Sequence, residues 1–264
     1  MNFDVKKERV LFDNVASDYD KYRLSYPKEI IKEIKKYINE NAEVLEIGCA
    51  TGNATKLFFP IKENVKFLCI DPGKNLIEIG QKNFKHIKNV FFAEGLFEDF
   101  DFQEMKFDLI FSAQAWHWIK QPIGYQKVYH LLKNFGTLAL MWNMYIITDS
   151  KDNKELLELS NKYHGFEDFV RNDQLDERFN KRLEDINKSG LLKVVSTKKV
   201  KWSKEYSLDD YYGFLKTSNS IIKMNDESKH QLYLDLKNYF NKQESQKIIR
   251  NYVCALYICK KVDN

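Results

Sequence analysis

Apolar positions along the chain change their spacing repeatedly, and each change marks an element. Val44-Leu45-Glu46-Ile47 is almost continuously apolar, the pattern of a strand buried on both faces. The small residues Gly48-Cys49-Ala50-Thr51-Gly52 follow. They predict a tight turn that opens a helix over 53–59, stopped near Pro60. Runs at Val65–Ile70, Val90–Ala93, Phe107–Ser112 and Gly136–Met144 predict strands two to five. Between them, 72–84 and 121–133 carry apolar residues at helical intervals. Upstream, apolar residues at 12, 15, 16 and 19 make one face of a short helix. Ile30, Ile31, Ile34, Tyr37 and Ile38 stripe a second, which starts at Pro27.

The second half has a different rhythm. Amphipathic helices are expected over 151–164 and 174–189, the latter stopped by Gly190. An alternating strand follows over 192–201. Ser207 is placed to cap a short aromatic helix holding Tyr211, Tyr212 and Phe214. A helix over 227–240 and a last strand over 248–259 complete the chain. Strand–helix alternation predicts an α/β protein, its sheet mainly parallel with helices on both faces. The helices among the last strands would form a lid over the carboxyl edge. The expected organisation is one structural domain with a lid: residues 1–145 as core with N-terminal helices, and 146–264 as the last two strands plus lid.

Composition excludes several classes. With 264 residues, 44% hydrophobic and 30% charged, the chain can build a large core and is not a disordered segment. The net charge of +4 is spread along the chain, so neither nucleic acid nor a membrane surface is expected as partner. No run is long and apolar enough to span a bilayer, and Met1–Arg9 lacks the apolar centre of a signal peptide. Cys49, Cys69, Cys254 and Cys259 form no CxxC or metal-ligand spacing. No metal site is expected, and buried thiols suit a reducing, cytoplasmic setting. Nothing in the pattern specifies an oligomeric state.

The turn between the first strand and its helix carries the chemistry. Ligands of open α/β sheets sit at the carboxyl ends of strands. Gly48 and Gly52 permit unusual backbone angles and close approach there. The second strand ends in Asp71, and a carboxylate at that place suits the two hydroxyls of a ribose. A nucleoside cofactor is therefore expected across the first two strands. The dinucleotide fingerprint Gly-x-Gly-x-x-Gly is not met by Gly48, Ala50, Gly52 and Ala54, which disfavours a nicotinamide-dependent oxidoreductase. That enzyme, and a cofactor-binding protein without transfer activity, are the competing readings.

Taken in order, Glu46-x-Gly48-x-Ala50-x-Gly52, Asp71, Phe97-Glu98-Asp99 and Phe107-Asp108-Leu109-Ile110 resemble the motifs of class I S-adenosylmethionine-dependent methyltransferases. Tyr19-Asp20-x-Tyr22-Arg23-x-x-Tyr26-Pro27, Trp116-His117-Trp118-Ile119 and Leu138–Asn143 are similar to the branch containing trans-aconitate and ubiquinone-biosynthesis methyltransferases, the type 11 group. The middle turn residue, Ala50, departs from the family's glycine, and Asn134-Phe135-Gly136 stands where Pro-Gly-Gly is usual. The resemblance implies a Rossmann-like seven-stranded sheet, mainly parallel with an antiparallel last strand. It implies S-adenosylmethionine as cofactor, S-adenosylhomocysteine as product and a small-molecule methyl acceptor. Tyr19, Arg23, Glu46, Gly48, Ala50, Gly52, Asp71, Leu96, Phe97, Glu98, Ser112 and Gln114 are the implied cofactor residues. Arg23 would pair with the cofactor's carboxylate, Asp71 with its ribose, Leu96 and Phe97 with its adenine. Trp116, Trp118, Tyr22 and Tyr211 would line the acceptor, with His117 as the candidate catalytic base. Asn/Asp-Pro-Pro-Tyr is absent after strand four, where Gln114-Ala115-Trp116-His117 stands, so amino-methylation of nucleic acid is disfavoured.

Overall fold

The computed structural model describes residues 10–61 and 64–262; the N-terminal segment read above for a signal peptide lies outside them. The first five strands are β1 (Glu43–Ile47), β2 (Lys66–Asp71), β3 (Val90–Glu94), β4 (Phe107–Ala113) and β5 (Leu132–Ile147). They are followed by β6 (Phe169–Arg171), β7 (Leu192–Tyr206) and β8 (Ile248–Lys261). The sheet order is β3-β2-β1-β4-β5-β8-β7, with β6 beside β5. Pairing is parallel from β3 to β5. The Val262 amide donates to the Leu191 carbonyl, so the end of β8 meets the start of β7 and the two run antiparallel. This is the Rossmann-like sheet expected from the sequence. One three-residue strand, β6, is added; it is too short to show a period.

Two local expectations need correction. The helix over 53–59 is only a single 3₁₀ turn, Thr55–Phe58, preceded by turns. Phe59 is extended, as the residue before a proline prefers, and this ends the turn. Strand five begins four residues earlier than the apolar run, at Leu132. The register against β4 shifts between Phe107 and Leu109, which lets the polar start of β5 remain in the sheet. A Cβ on Gly136 would stand 2.9 Å from the Phe107 carbonyl oxygen, so a glycine is needed there. Asn134-Phe135-Gly136 is thus strand rather than turn.

The chain divides into two compact units. One holds Ser25–Asn143, Asp176–Val200 and the chain from Cys254; the other holds the chain up to Leu24, Met144–Leu175 and Lys201–Val253. The first unit buries β1, β2 and β4 almost completely: Val44, Leu45, Phe67, Leu109, Ile110 and Phe111 are closed to solvent. Removal of their apolar surface from water is the main stabilising term, roughly 1.5–3 kcal/mol per side chain. The second unit has an aromatic core built from Phe166, Tyr206, Tyr211, Phe214, Tyr239 and Tyr252. Ser207 accepts from the Asp210 amide at 3.2 Å and starts Leu208–Leu215, as its position predicts.

Inside this second core lies a buried ion pair. The Arg250 guanidinium is 3.2 Å from Glu167, and both side chains are shut off from water. Tyr211 donates to the same carboxylate oxygen at 2.7 Å. Burial opposes the Arg250 cation, but Glu167 outweighs it and holds the guanidinium above its ordinary range. Burial, reinforced by Glu167, pushes the Tyr211 phenol far up.

Candidate functional site

The turn after β1 is shaped by three left-handed residues at alternate positions: Gly48 at φ 71°, Ala50 at φ 47° and Gly52 at φ 83°. A Cβ on Gly48 would lie 2.3 Å from the Ala115 Cβ, and one on Gly52 would lie 2.6 Å from the Phe84 ring. The two glycines are therefore needed by the protein's own packing as well as by backbone angle. Ala50 tolerates the left-handed region at a cost of about 1–2 kcal/mol.

Asp71, at the carboxyl end of β2, holds this turn. Its Oδ2 accepts from the Ala50 amide and its Oδ1 from the Gly73 amide, each at 2.9 Å. The Gly48 and Cys49 amides donate to the Ile70 carbonyl at 2.9 and 3.1 Å. The Gly95 amide donates to the Asp71 carbonyl at 2.9 Å, which brings the Leu96–Glu98 segment to the same strand end. Leu96 is half-buried. Phe97 is instead buried among aromatics, its ring 5.8 Å from Phe102 and 6.3 Å from Trp116. Glu98 accepts from the Lys120 amide at 2.8 Å.

Glu46 is closed to solvent beneath the turn and accepts from the Thr55 hydroxyl. Burial raises its carboxyl from the ordinary 4.5 to about 8; the Thr55 bond opposes the rise and Asp71 adds to it. Such a carboxyl stays protonated in the folded chain while the unfolded chain ionises. Its contribution to stability is full below about pH 4.5 and is lost as pH rises to about 8. Thermal unfolding across this window is expected to show a fall that Glu46→Gln abolishes. An unchanged slope in that variant would remove the assignment.

At the end of β4, the Ser112 hydroxyl donates to the Ile47 carbonyl at 2.9 Å and joins β4 to β1. The Gln114 side chain clips β5: its Oε1 accepts from the Asn143 amide at 2.8 Å, and its Nε2 donates to the Asn143 carbonyl at 3.3 Å. The 3₁₀ turn Trp116–Trp118 follows. His117 Nδ1 accepts from Trp142 Nε1 at 3.3 Å. That bond leaves the proton of a neutral imidazole on Nε2, a donor rather than a base. Trp118 is half-buried with its ring 5.1 Å from His117.

The other unit holds Tyr19, Tyr22, Arg23 and Tyr211. The Arg23 guanidinium lies 5.1 Å from the Tyr19 ring and 5.8 Å from Phe214. The Tyr22 ring fills the space a Cβ on Gly213 would take, at 2.7 Å. Tyr211 is fully buried and bonded to Glu167, a packing role.

Two residues of the turn escape a reading by glycines and acids alone. The Thr51 hydroxyl and the Asn53 amide nitrogen are buried with no hydrogen-bond partner in the protein. Buried polar groups are rarely left unpaired, so a polar ligand suits this turn. Their signal in the sequence is a hydroxyl just before Gly52 and an amide just after it.

The fold and the turn define a class, and comparison with known proteins agrees. Residues 44–136 match the family model described as a methyltransferase domain. Residues 44–136 are thus similar to a methyltransferase domain, and the sheet has the fold of solved S-adenosylmethionine-dependent methyltransferases. Among individual relatives, the chain is 30% identical over 160 residues to the Saccharomyces cerevisiae protein named probable S-adenosylmethionine-dependent methyltransferase CRG1, covering 59% of this chain and 54% of that one. It is 23% identical to the Schizosaccharomyces pombe uncharacterized methyltransferase C25B8.09 over 95% of this chain and 97% of that one. Other curated relatives are matched over about half their length. A solved S-adenosylmethionine-dependent methyltransferase from Geobacter sulfurreducens, in complex with S-adenosylhomocysteine, shares the fold with a TM-score of 0.54 at 10% identity, covering 93% of this chain and 96% of that one.

Proposed function

We propose that this protein transfers a methyl group from S-adenosylmethionine to a small organic acceptor, in the manner of the type 11 branch. The observation that carries the reading is the Gly48–Gly52 turn: three left-handed residues locked by Asp71, with unsatisfied buried polar groups on Thr51 and Asn53 either side of Gly52. When bound, the cofactor supplies an electrophilic methyl on a sulfonium.

The chain's own residues do the holding. Asp71 would accept from the ribose hydroxyls while keeping the turn; a carboxylate has about four lone-pair sites, so both tasks are compatible. Thr51 and Asn53, whose buried polar atoms have no partner in the protein, would hold the amino-acid tail. Glu46 would orient the turn from beneath. Leu96 offers the open wall for adenine, with Phe97 supporting it from the core. Ser112 and Gln114 fix the end of β4, so that its carbonyls have one position. Trp116 and Trp118 would be aromatic walls near the acceptor. His117 would orient the acceptor through Nε2–H. Exclusion of water and alignment of the reacting atoms are the main contributions asked of such a site. No helix among the described residues is long and apolar enough to cross a membrane; a cytoplasmic setting is part of the proposal.

Asp71→Ala is expected to weaken S-adenosylhomocysteine by about tenfold or more, since hydrogen bonds to a charged group contribute roughly 1.5–3 kcal/mol each. Calorimetric titration checks this, and unchanged affinity would show that Asp71 serves the turn alone. His117→Ala is expected to lower turnover at least about tenfold, consistent with a hydrogen bond of roughly 1.4 kcal/mol or more lost from an oriented acceptor, with cofactor affinity kept. A fully active variant would remove His117 from the site.

A further inference from the structure

The chain between β3 and β4, residues 95–106, contains neither helix nor strand, yet the wall for adenine lies in it. Such a segment keeps one shape only where other groups take its main-chain hydrogen bonds. We propose that Lys127, on the helix Ile123–Leu131, is the positioning residue that holds this segment for the adenine of the cofactor. The adenine role rests on the methyltransferase reading above; the tie between helix and segment does not.

The near end of the segment is set by the sheet. The Gly95 amide donates to the Asp71 carbonyl at 2.9 Å. The Leu96 carbonyl then accepts from the Asp99 and Phe100 amides, at 3.0 and 2.8 Å. A Cβ on Gly95 would stand 2.6 Å from the Phe100 ring, so the chain closes tightly on itself. Leu96–Phe100 is therefore a single helical turn. No second turn follows it to bond its last carbonyls.

Lys127 supplies those donors. Its Nζ donates to the Phe100 carbonyl at 2.7 Å and to the Glu98 carbonyl at 3.0 Å. An ammonium has three donors and no acceptor, so one side chain serves both oxygens. A cation at the carbonyl end of a helical turn is also electrostatically favoured. The Glu98 side chain makes a second tie in the same direction, accepting from the Lys120 amide at 2.8 Å.

The lysine is itself well anchored. Gly124, Tyr125, Val128 and Leu131 are buried and fix the helix in the first unit. Lys127 lies three residues after Gly124 and four before Leu131, on the margin of that buried face. Its ammonium is 5.5 Å from the Phe97 ring centre and 5.0 Å from that of Phe102. The same rings back the adenine wall. Burial draws the ammonium below its ordinary range, and Asp99, Glu98 and Asp101 of the segment oppose that fall.

This arrangement governs position more than stability. Lys127, Glu98 and Phe100 are half-buried, so water can replace the two bonds if the ammonium is lost. What disappears is the single placement of the turn. The wall then has to be ordered when the ligand binds, and that cost falls on the part of the ligand that meets it.

The test compares S-adenosylhomocysteine with S-ribosylhomocysteine, which keeps the tail and ribose and lacks adenine. Both are measured on the full chain by competition against radiolabelled S-adenosylhomocysteine. Lys127→Met keeps an aliphatic stem over the rings and removes the donors. It is expected to weaken S-adenosylhomocysteine about tenfold, while S-ribosylhomocysteine binds within about twofold of its affinity for the parent chain. Lys127→Gln is expected to act in the same direction and serves if the methionine variant does not fold. Unchanged affinity for S-adenosylhomocysteine, or an equal loss for both ligands, would overturn the role of Lys127 and leave the methyltransferase reading standing. A parent chain that binds neither ligand would overturn that reading, and this proposal with it.

Discussion

Gly48→Ala is expected to abolish measurable cofactor binding and to lower stability by about 2–5 kcal/mol. Two independent costs set that figure. The residue sits at φ 71°, where an L side chain costs roughly 1–2 kcal/mol. The new methyl would also start 2.3 Å from the Ala115 Cβ. Neither atom is the end of a flexible side chain, so backbone must move, and forced overpacking costs about 1–3 kcal/mol. The movement would fall on the Ala115–Trp116 connection and on the turn itself, where the cofactor is proposed to lie. Chemical denaturation and titration with S-adenosylhomocysteine, done on the same variant, check both halves. A stable Gly48→Ala chain with parental affinity would mean that the turn does not have the described shape.

Glu167→Ala is expected to destabilise the chain by about 3–5 kcal/mol, because it leaves the Arg250 cation buried without its counter-charge. The loss should exceed that of a cavity alone, since Tyr211 also loses its acceptor. Replacing both partners, as Glu167→Leu with Arg250→Met, should recover most of the loss, because a buried pair costs desolvation that an apolar pair does not. Urea unfolding of the single and double variants distinguishes the cases. A double variant no better than the single would show that the pair contributes more than charge balance.

The order of elements was legible because its signals are long. Buried parallel strands read as continuous apolar runs, and helices as stripes, from β1 through β5. What could not be read has local causes. The 3₁₀ turn Thr55–Phe58 ends where Phe59 becomes extended before Pro60, which no periodicity records. The strand start at Leu132 depends on a register shift against β4. The strand Phe169–Arg171 has three residues, too few for its alternation to repeat.

At the site, Gly48, Gly52, Asp71 and Glu46 were visible as residue types with the right spacing. What spacing could not give was direction. Asp71 spends both oxygens on backbone amides. The two glycines make room for Ala115 and Phe84. His117 is turned into a donor by Trp142, a residue 25 positions away. Phe97 lies within an aromatic cluster rather than at an open wall. Lys127 and its two carbonyl partners were invisible, since a lysine on an amphipathic helix usually reads as a solvated face.

The most direct measurement is calorimetric titration of the full chain with S-adenosylhomocysteine and, separately, with NAD. Saturable binding of S-adenosylhomocysteine, no binding of NAD, and loss of the first in Asp71→Ala are the expected results. Binding of NAD alone, or of neither compound, would contradict the assignment of the Gly48–Gly52 turn to S-adenosylmethionine.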